Sequence, residues 1–298
     1  MKKHVLIFLI AFSSIGICNA QEWFTSLDVA KRLALVQDKM LLVMWQNTLD
    51  YTYPVRLIGD DKVSVVVDLN KNDEVNNLIW DHFVPVILLE SNYEKLYNDA
   101  KKNRNVLYLD KLKDDSIKIM DANGNILNVK TNTAEIENLT QIINRYGLKT
   151  TFLKHELNNY SRDKNVTSAF NLASKYLDYA VYVPKKTRED ITDLANIYFN
   201  EAKAYLANSD LKNKAGFLQR LEFLDIKKLL ILGNPNKARR LLKKIDTADI
   251  DITNQTLYNF LNYTTFKMLE KEEEVALWKD KLSPIDLKKA ELIVNING

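Results

Sequence analysis

Six consecutive apolar residues, MLLVMW at Met40–Trp45, set the first limit on the fold of this chain. A half-exposed strand alternates apolar and polar residues, whereas a strand covered on both faces reads as a continuous apolar run. The run is also far shorter than the roughly 20 residues that a membrane-spanning helix needs. It therefore predicts a buried central strand with helices packed on both faces of its sheet, which is an α/β architecture.

Strand and helix patterns alternate on both sides of this run. An apolar stripe predicts a helix that begins at a capping box of Thr25 and Asp28 and ends at Gln37. The other elements predicted here are strands at Val63–Leu69 and Phe83–Leu89 and helices at Asp73–His82 and Asn92–Lys102.

A β-hairpin pattern and a final helix complete this part of the chain. Ile117 and Ile119 alternate with polar residues, Asn123-Gly124 supplies a tight turn, and Ile126–Val129 returns antiparallel. A helix is predicted from about Thr133 to Tyr146, with Gly147 closing it in the left-handed conformation. Together these patterns predict a central mixed sheet flanked by helices over residues 21–148.

The second half, residues 149–298, contains no convincing strand pattern. Long amphipathic segments are interrupted at Pro184, at Gly233-Asn234-Pro235 and at Ser283-Pro284. Serine followed by proline is a standard helix start, because the serine caps and the proline fits the first turn. We expect an all-α domain of stacked helical hairpins, with a tetratricopeptide-like array and a plain helical bundle as the two alternatives.

The first 20 residues have the three-part pattern of a secretory signal. Two lysines precede a short apolar stretch, and small and polar residues lead to Ala20. We expect export to the periplasm with cleavage after Ala20. Retention and lipidation of Cys18 is the alternative, although the bulky Ile17 before it fits a lipoprotein signal poorly. The protein would contact a membrane only if it is lipidated at Cys18.

The combined pattern resembles the exported bacterial thioredoxin-like family. The matching features are a helix led by Trp23 that contains Ala30-Lys31, a strand ending in Trp45, and a later strand ending in Asp121 before the Gly turn. The resemblance covers about Trp23 to Gly147. It implies a thioredoxin fold for the α/β part of the chain.

Redox-active members of that family carry Cys-x-x-Cys directly after the tryptophan and a cis-proline before the later strand. At those positions this chain has Gln46, Leu49 and Asp115. Disulfide exchange needs a thiolate nucleophile, and the only cysteine of the chain is Cys18. The resemblance therefore implies a redox-inactive protein, with a trans bond before Asp115.

Other chemistry has little support in the sequence. His82 and His155 are far apart and have no recognisable partner motif, so we expect no catalytic residues and no metal site. No phosphate-binding glycine loop is present, and no cofactor is expected. The net charge of +3 includes Lys2 and Lys3, which leaves no charge footprint for nucleic acid.

The aromatic loop after the central strand is the candidate binding loop, and its residues are Trp45, Tyr51 and Tyr53. We expect the surface beside Trp45 to be covered by Tyr51 or Tyr53. The resulting hypothesis is a non-enzymatic binding or assembly module in the cell envelope, with an unidentified protein partner. The alternatives are an enzyme of unrecognised class with its site between the two halves, or a lipoprotein component of the envelope.

Overall fold

The computed structural model describes residues 22–130 and 136–298. The predicted signal peptide, its cleavage after Ala20 and the lipidation alternative at Cys18 lie outside the described residues. The described chain forms an α/β part followed by a helical part, as the sequence patterns predict.

The α/β part contains two small sheets and six helices of at least one turn. The elements are α1 (Leu27–Gln37), β1 (Met40–Trp45), α2 (Gln46–Leu49), β2 (Pro54–Ile58), β3 (Ser64–Asp68), α3 (Asp73–His82), β4 (Phe83–Leu88), α4 (Tyr93–Lys101), α5 (Val106–Lys113), β5 (Lys118–Met120), β6 (Glu137–Asn138) and α6 (Leu139–Tyr146). A single 3₁₀ turn, Glu90–Asn92, precedes α4.

The first sheet has β1 at its centre, in the order β4–β1–β5. β1 is parallel to β4 and antiparallel to β5. Single bridges extend the sheet at both edges, where Phe24 pairs with Val86 and Ile126 pairs with Met120. All six residues of β1 are buried, which confirms the prediction from the unbroken apolar run. The predicted return strand after the turn is reduced to the bridge at Ile126.

The second sheet has the order β3–β2–β6. β2 was not predicted, because its sequence PVRLI has neither a continuous apolar run nor strict alternation. It is antiparallel to β3 and parallel to β6. The pairing of Glu137 and Asn138 with β2 explains why α6 begins at Leu139 and not near Thr133 as predicted. Residues 131–135 are outside the described part of the chain.

Two capping predictions were wrong. α1 is capped by Ser26, whose hydroxyl accepts a hydrogen bond from the Val29 amide, and not by a Thr25–Asp28 box. Gly147 has a φ of −69°, outside the left-handed region. A Cβ at this glycine would lie 2.8 Å from the Ile143 carbonyl oxygen, so a close backbone approach is what favours glycine here.

The helical part contains eight α-helices among the described residues 149–298. They are α7 (Lys154–Arg162), α8 (Val166–Tyr179), α9 (Lys185–Ala207), α10 (Lys214–Ile231), α11 (Pro235–Leu242), α12 (Gln255–Met268), α13 (Glu272–Lys279) and α14 (Pro284–Asn295). Three of them start where prolines predicted. Pro184 caps α9, Pro235 is the first residue of α11, and the Ser283 hydroxyl caps α14.

A single apolar cluster of buried side chains crosses the boundary between the two parts. It includes Met40 and Tyr146 before residue 148, and Tyr176 and Ile293 after it. The helical part therefore covers one side of the α/β part and shares its core. The division of the chain into two domains at residue 148 stays a prediction.

Candidate functional site

The tryptophan at the end of β1 is buried. Trp45 is 3% exposed, and its indole N–H donates a hydrogen bond to the Leu112 carbonyl oxygen at 2.8 Å. The Tyr93 ring packs edge-on against it, with ring centroids 5.6 Å apart. The expectation that Tyr51 or Tyr53 would cover Trp45 was wrong, because α4 and α5 supply the cover. The Trp45 side chain is therefore not accessible to a partner.

The two residues that the sequence analysis aligned with a redox pair, Gln46 and Leu49, lie on one helical turn directly after β1. Gln46 is exposed, whereas Leu49 is 6% exposed and belongs to the apolar core. The Thr48 hydroxyl donates to the Asp115 carboxylate at 3.0 Å. The fold thus brings α2 and the segment before β5 together. No cis peptide bond occurs among the described residues, so the Asp114–Asp115 bond is trans.

The two tyrosines of the candidate binding loop have different environments. Tyr51 is 75% exposed and is the more accessible of the two. The Tyr53 hydroxyl donates to the Glu137 carboxylate at 2.6 Å, and burial raises the pKa of Tyr53 above its usual range. Only Tyr51 is therefore free to contact a partner, while Tyr53 fixes β2 to β6.

A buried polar cluster lies behind the Asp115 position, and sequence reasoning missed it. Lys118 is fully buried, and its ammonium donates to the Asp114 carbonyl oxygen at 2.5 Å and to the Ser116 carbonyl oxygen at 2.9 Å. Lys111 is also buried and donates to the Ser116 hydroxyl. Burial lowers the pKa of Lys118 to about 8 and lowers that of Lys111. Each ammonium is satisfied and shielded from solvent, so the cluster stabilises the loop before β5.

The interface between the two parts is organised by a buried carboxylate. Asp121, directly after β5, accepts hydrogen bonds from the hydroxyls of Tyr176, at 3.1 Å, and Tyr198. It also accepts from the amides of Asn123 and Asn125, at 3.0 and 2.9 Å. Burial raises the pKa of Asp121, and these hydrogen bonds oppose the increase. The sequence pointed to this residue only as the aspartate before the Gly turn. Its partners Tyr176 and Tyr198 lie 55 and 77 residues further along the chain, so the contact could not be predicted.

A polar cleft lies between the α/β part and α9. Its two adjoining cavities measure about 490 and 590 Å³. Arg104 bridges it, donating to the Asn125 side chain at 2.7 Å and to the Glu201 carboxylate at 2.6 Å. The Tyr160 hydroxyl donates to the same carboxylate. The cleft lies where the alternative enzyme site was expected, and Glu201, its partly buried acid at the bridge, is already held by Arg104 and Tyr160.

The outer strand β3 presents an exposed apolar edge. Val63, Val65 and Val66 are 56%, 47% and 53% exposed. Within the described residues, no strand pairs with the edge of β3 that faces away from β2. Exposed β-branched edge strands are templates for pairing with another chain. This edge is therefore the main candidate contact surface on the α/β part.

Hydrogen bonds at the two ends of the β2–β3 pair show which backbone groups of β3 do not bond to β2. The Gly59 amide donates to the Val63 carbonyl at 3.0 Å, and the Leu69 amide donates to the Tyr53 carbonyl at 2.9 Å. Residues in an antiparallel strand alternate between bonding to one neighbour and facing the other side. The backbone groups directed away from β2 therefore belong to Ser64, Val66 and Asp68.

No protein-family model, curated protein or solved structure matches this chain. Among the described residues, no group of histidine, cysteine or acidic side chains has the arrangement of a metal site. In the same part of the chain, no helix combines the length and apolar character needed to cross a bilayer.

Proposed function

We propose that this chain is an exported, redox-inactive thioredoxin-like protein that acts as a binding and assembly module in the cell envelope. The order of its first sheet supports the family. Phe24, β4, β1, β5 and Ile126 follow one another across the sheet, with β1 parallel to β4 and antiparallel to β5. The burial of Trp45 and Leu49 supports the loss of the redox site.

The observation that carries the binding role is the open edge of β3. Its backbone donors and acceptors at Ser64, Val66 and Asp68 can bond to a further strand without disturbing β2. Strand addition of this kind takes its affinity from main-chain hydrogen bonds and its specificity from alternate side chains. The surface thus suits an extended partner strand with an apolar centre.

The occupant that this edge fits is a second copy of the chain. Antiparallel pairing centred on Val66 places Val66 opposite its own copy and Ser64 opposite Asp68, so each open donor meets an acceptor. The same register gives one serine–aspartate pair on each side of the two-fold axis. A two-fold interface must be self-complementary in this way.

The test is the oligomeric state of the purified protein by sedimentation velocity over a wide concentration range. Val66→Pro removes an outward amide and leaves the β2–β3 bonds intact, since proline is tolerated at strand edges. Val66→Thr is the matched control, because it keeps the amide and the strand preference. We expect the wild type and the threonine variant to dimerise and the proline variant to remain monomeric.

A wild type that stays monomeric at about 200 μM, well above the micromolar range of ordinary weak complexes, would contradict the proposal. So would a proline variant that dimerises as strongly as the wild type. Thermal unfolding of both variants, followed by circular dichroism, separates a lost interface from a lost fold.

A further inference from the structure

A small apolar pocket with a lysine rim lies in the helical part, away from the β3 edge and the interface cleft. It has a volume of about 210 Å³. Its lining includes Phe152, which precedes α7, Phe260 on α12 and Leu292 on the last helix. Helices that are far apart in sequence thus converge on one cavity.

Three lysines surround this apolar lining, and only one of them has a carboxylate partner. The Lys227 ammonium lies 2.6 Å from the Asp178 carboxylate. The Lys175 ammonium lies 3.9 Å from the centroid of the Phe152 ring. Among the described residues, no carboxylate is within 4.0 Å of the ammonium groups of Lys175 or Lys289. Three lysines and one aspartate therefore give the rim a net positive charge.

The geometry points to a binding site for a carboxylate attached to one apolar group. A dry cavity of about 150 Å³ is enough to hold a benzene ring, so this pocket accommodates one aromatic or branched aliphatic group. The excess charge of Lys175 and Lys289 supplies donors for an anion at the rim. Charge-assisted hydrogen bonds between ammonium and carboxylate are the strong class of hydrogen bond.

This chemistry has two sources, a free organic acid and the C-terminal residue of a peptide. The probes are 3-phenylpropionate for the first and acetyl-Gly-Gly-Phe with a free carboxylate for the second. 3-Phenylpropanol and the amide of the same peptide are matched neutral controls. Binding to the full chain is measured by isothermal titration calorimetry and by the chemical-shift changes of labelled lysine and phenylalanine residues.

We expect at least one acid to bind and its neutral control to bind at least tenfold more weakly. The affinity should fall when the salt concentration rises from about 20 to about 500 mM, because salt screens the attraction. The acid that binds more tightly identifies whether the carboxylate comes from a free organic acid or from a peptide C-terminus. Equal binding of acids and neutral controls, or no saturable binding by either acid, would overturn the proposal.

Two neighbouring lysines on α14 provide a matched comparison. Both are exposed, but only Lys289 is part of the pocket lining. We expect Lys289→Ala to weaken the acid by roughly tenfold, the effect of losing one charged hydrogen bond, and Lys288→Ala to leave it within about twofold. Because both variants remove the same charge from the same helix, a loss of the same size in both would refute a specific site.

Lys175→Met provides a second, independent measurement at a lysine on a different helix of the pocket lining. It keeps an apolar stem against Phe152 and removes the ammonium. We expect this variant to lose acid binding by a similar factor while its melting temperature stays close to the wild-type value. Retained affinity in a folded Lys175→Met protein counts against the assignment.

Discussion

The Tyr198 hydroxyl on α9 donates a hydrogen bond to the carboxylate of Asp121, the residue that follows β5. The donor lies in the helical part and the acceptor in the α/β part, and both are fully buried. Asn125 reinforces the contact, because its side-chain amide donates to the same hydroxyl at 3.0 Å. A buried carboxylate is costly unless its hydrogen bonds are complete, so this pair ties the two parts into one cooperative structure.

Tyr198→Phe is expected to destabilise the whole protein. The change removes one donor to Asp121 and leaves the carboxylate buried, at a cost of roughly 1–3 kcal/mol in the free energy of unfolding. Urea unfolding monitored by circular dichroism measures this difference. Tyr182→Phe is the matched control, since Tyr182 is 61% exposed, and it should change the free energy by less than about 0.5 kcal/mol. Equal stability of the two variants would show that the contact is unimportant.

Several elements of the fold could be predicted from the sequence alone. β1 was predictable because all six of its residues are apolar and adjacent in the sequence. The starts of α9, α11 and α14 were predictable because proline and serine act on the backbone next to them. The same local rules predicted α3, β3 and β4, but they missed β2, α5 and β6.

The candidate site was harder to predict because its contacts are distant in sequence. Trp45 meets Tyr93 and the Leu112 carbonyl, and nothing near Trp45 in the chain specifies either partner. Lys118 occupies a position that alternation assigns to the polar face of a half-exposed strand, yet β5 is buried on both faces. The residue types were informative, but their tertiary neighbours determined their roles.

Lys118 should make the stability of the protein depend on pH above neutrality. Burial lowers its pKa from 10.5 to about 8 in the folded state. Between about pH 8 and pH 10.5 the unfolded chain therefore binds more protons than the folded one, and the contribution of Lys118 to stability rises with pH. Below about pH 8 both states are protonated, and the full cost of burying the cation is present.

Comparison with Lys118→Met isolates this contribution. The free energy of unfolding of the wild type minus that of the variant should increase by roughly 2–3 kcal/mol from pH 8 to pH 10.5. Urea unfolding of both proteins across this range gives the difference directly. The variant Lys95→Met, which removes an exposed lysine, is the matched control. A flat difference for Lys118→Met would contradict the assigned shift.

The mature N-terminus is predicted to be Gln21. Signal peptidases cleave after small residues, and Ala20 ends the small and polar stretch that follows the apolar segment. Intact-mass spectrometry of protein recovered from the envelope of the producing cell should give the mass of a chain beginning at Gln21. A heavier product that retains Cys18 with acyl chains would instead support the lipoprotein alternative.

Disulfide exchange by this protein is predicted to be undetectable. The exchange begins with attack by a thiolate, and a second thiol must resolve the mixed disulfide. The corresponding positions hold the exposed Gln46 and the core residue Leu49, and Cys18 is the only cysteine of the chain. A preparation that begins at Gln21 therefore contains no thiol.

The measurement is the reduction of insulin by dithiothreitol, followed by turbidity. The protein beginning at Gln21 should give the same rate as a heat-denatured sample of equal concentration, and a thiol titration of the preparation should read zero. The burial of Trp45 adds a second barrier, because an extended substrate cannot contact this side chain. A rate clearly above the heat-denatured sample, with zero titratable thiol, would require a nucleophile other than cysteine and would remove the basis for the redox-inactive assignment.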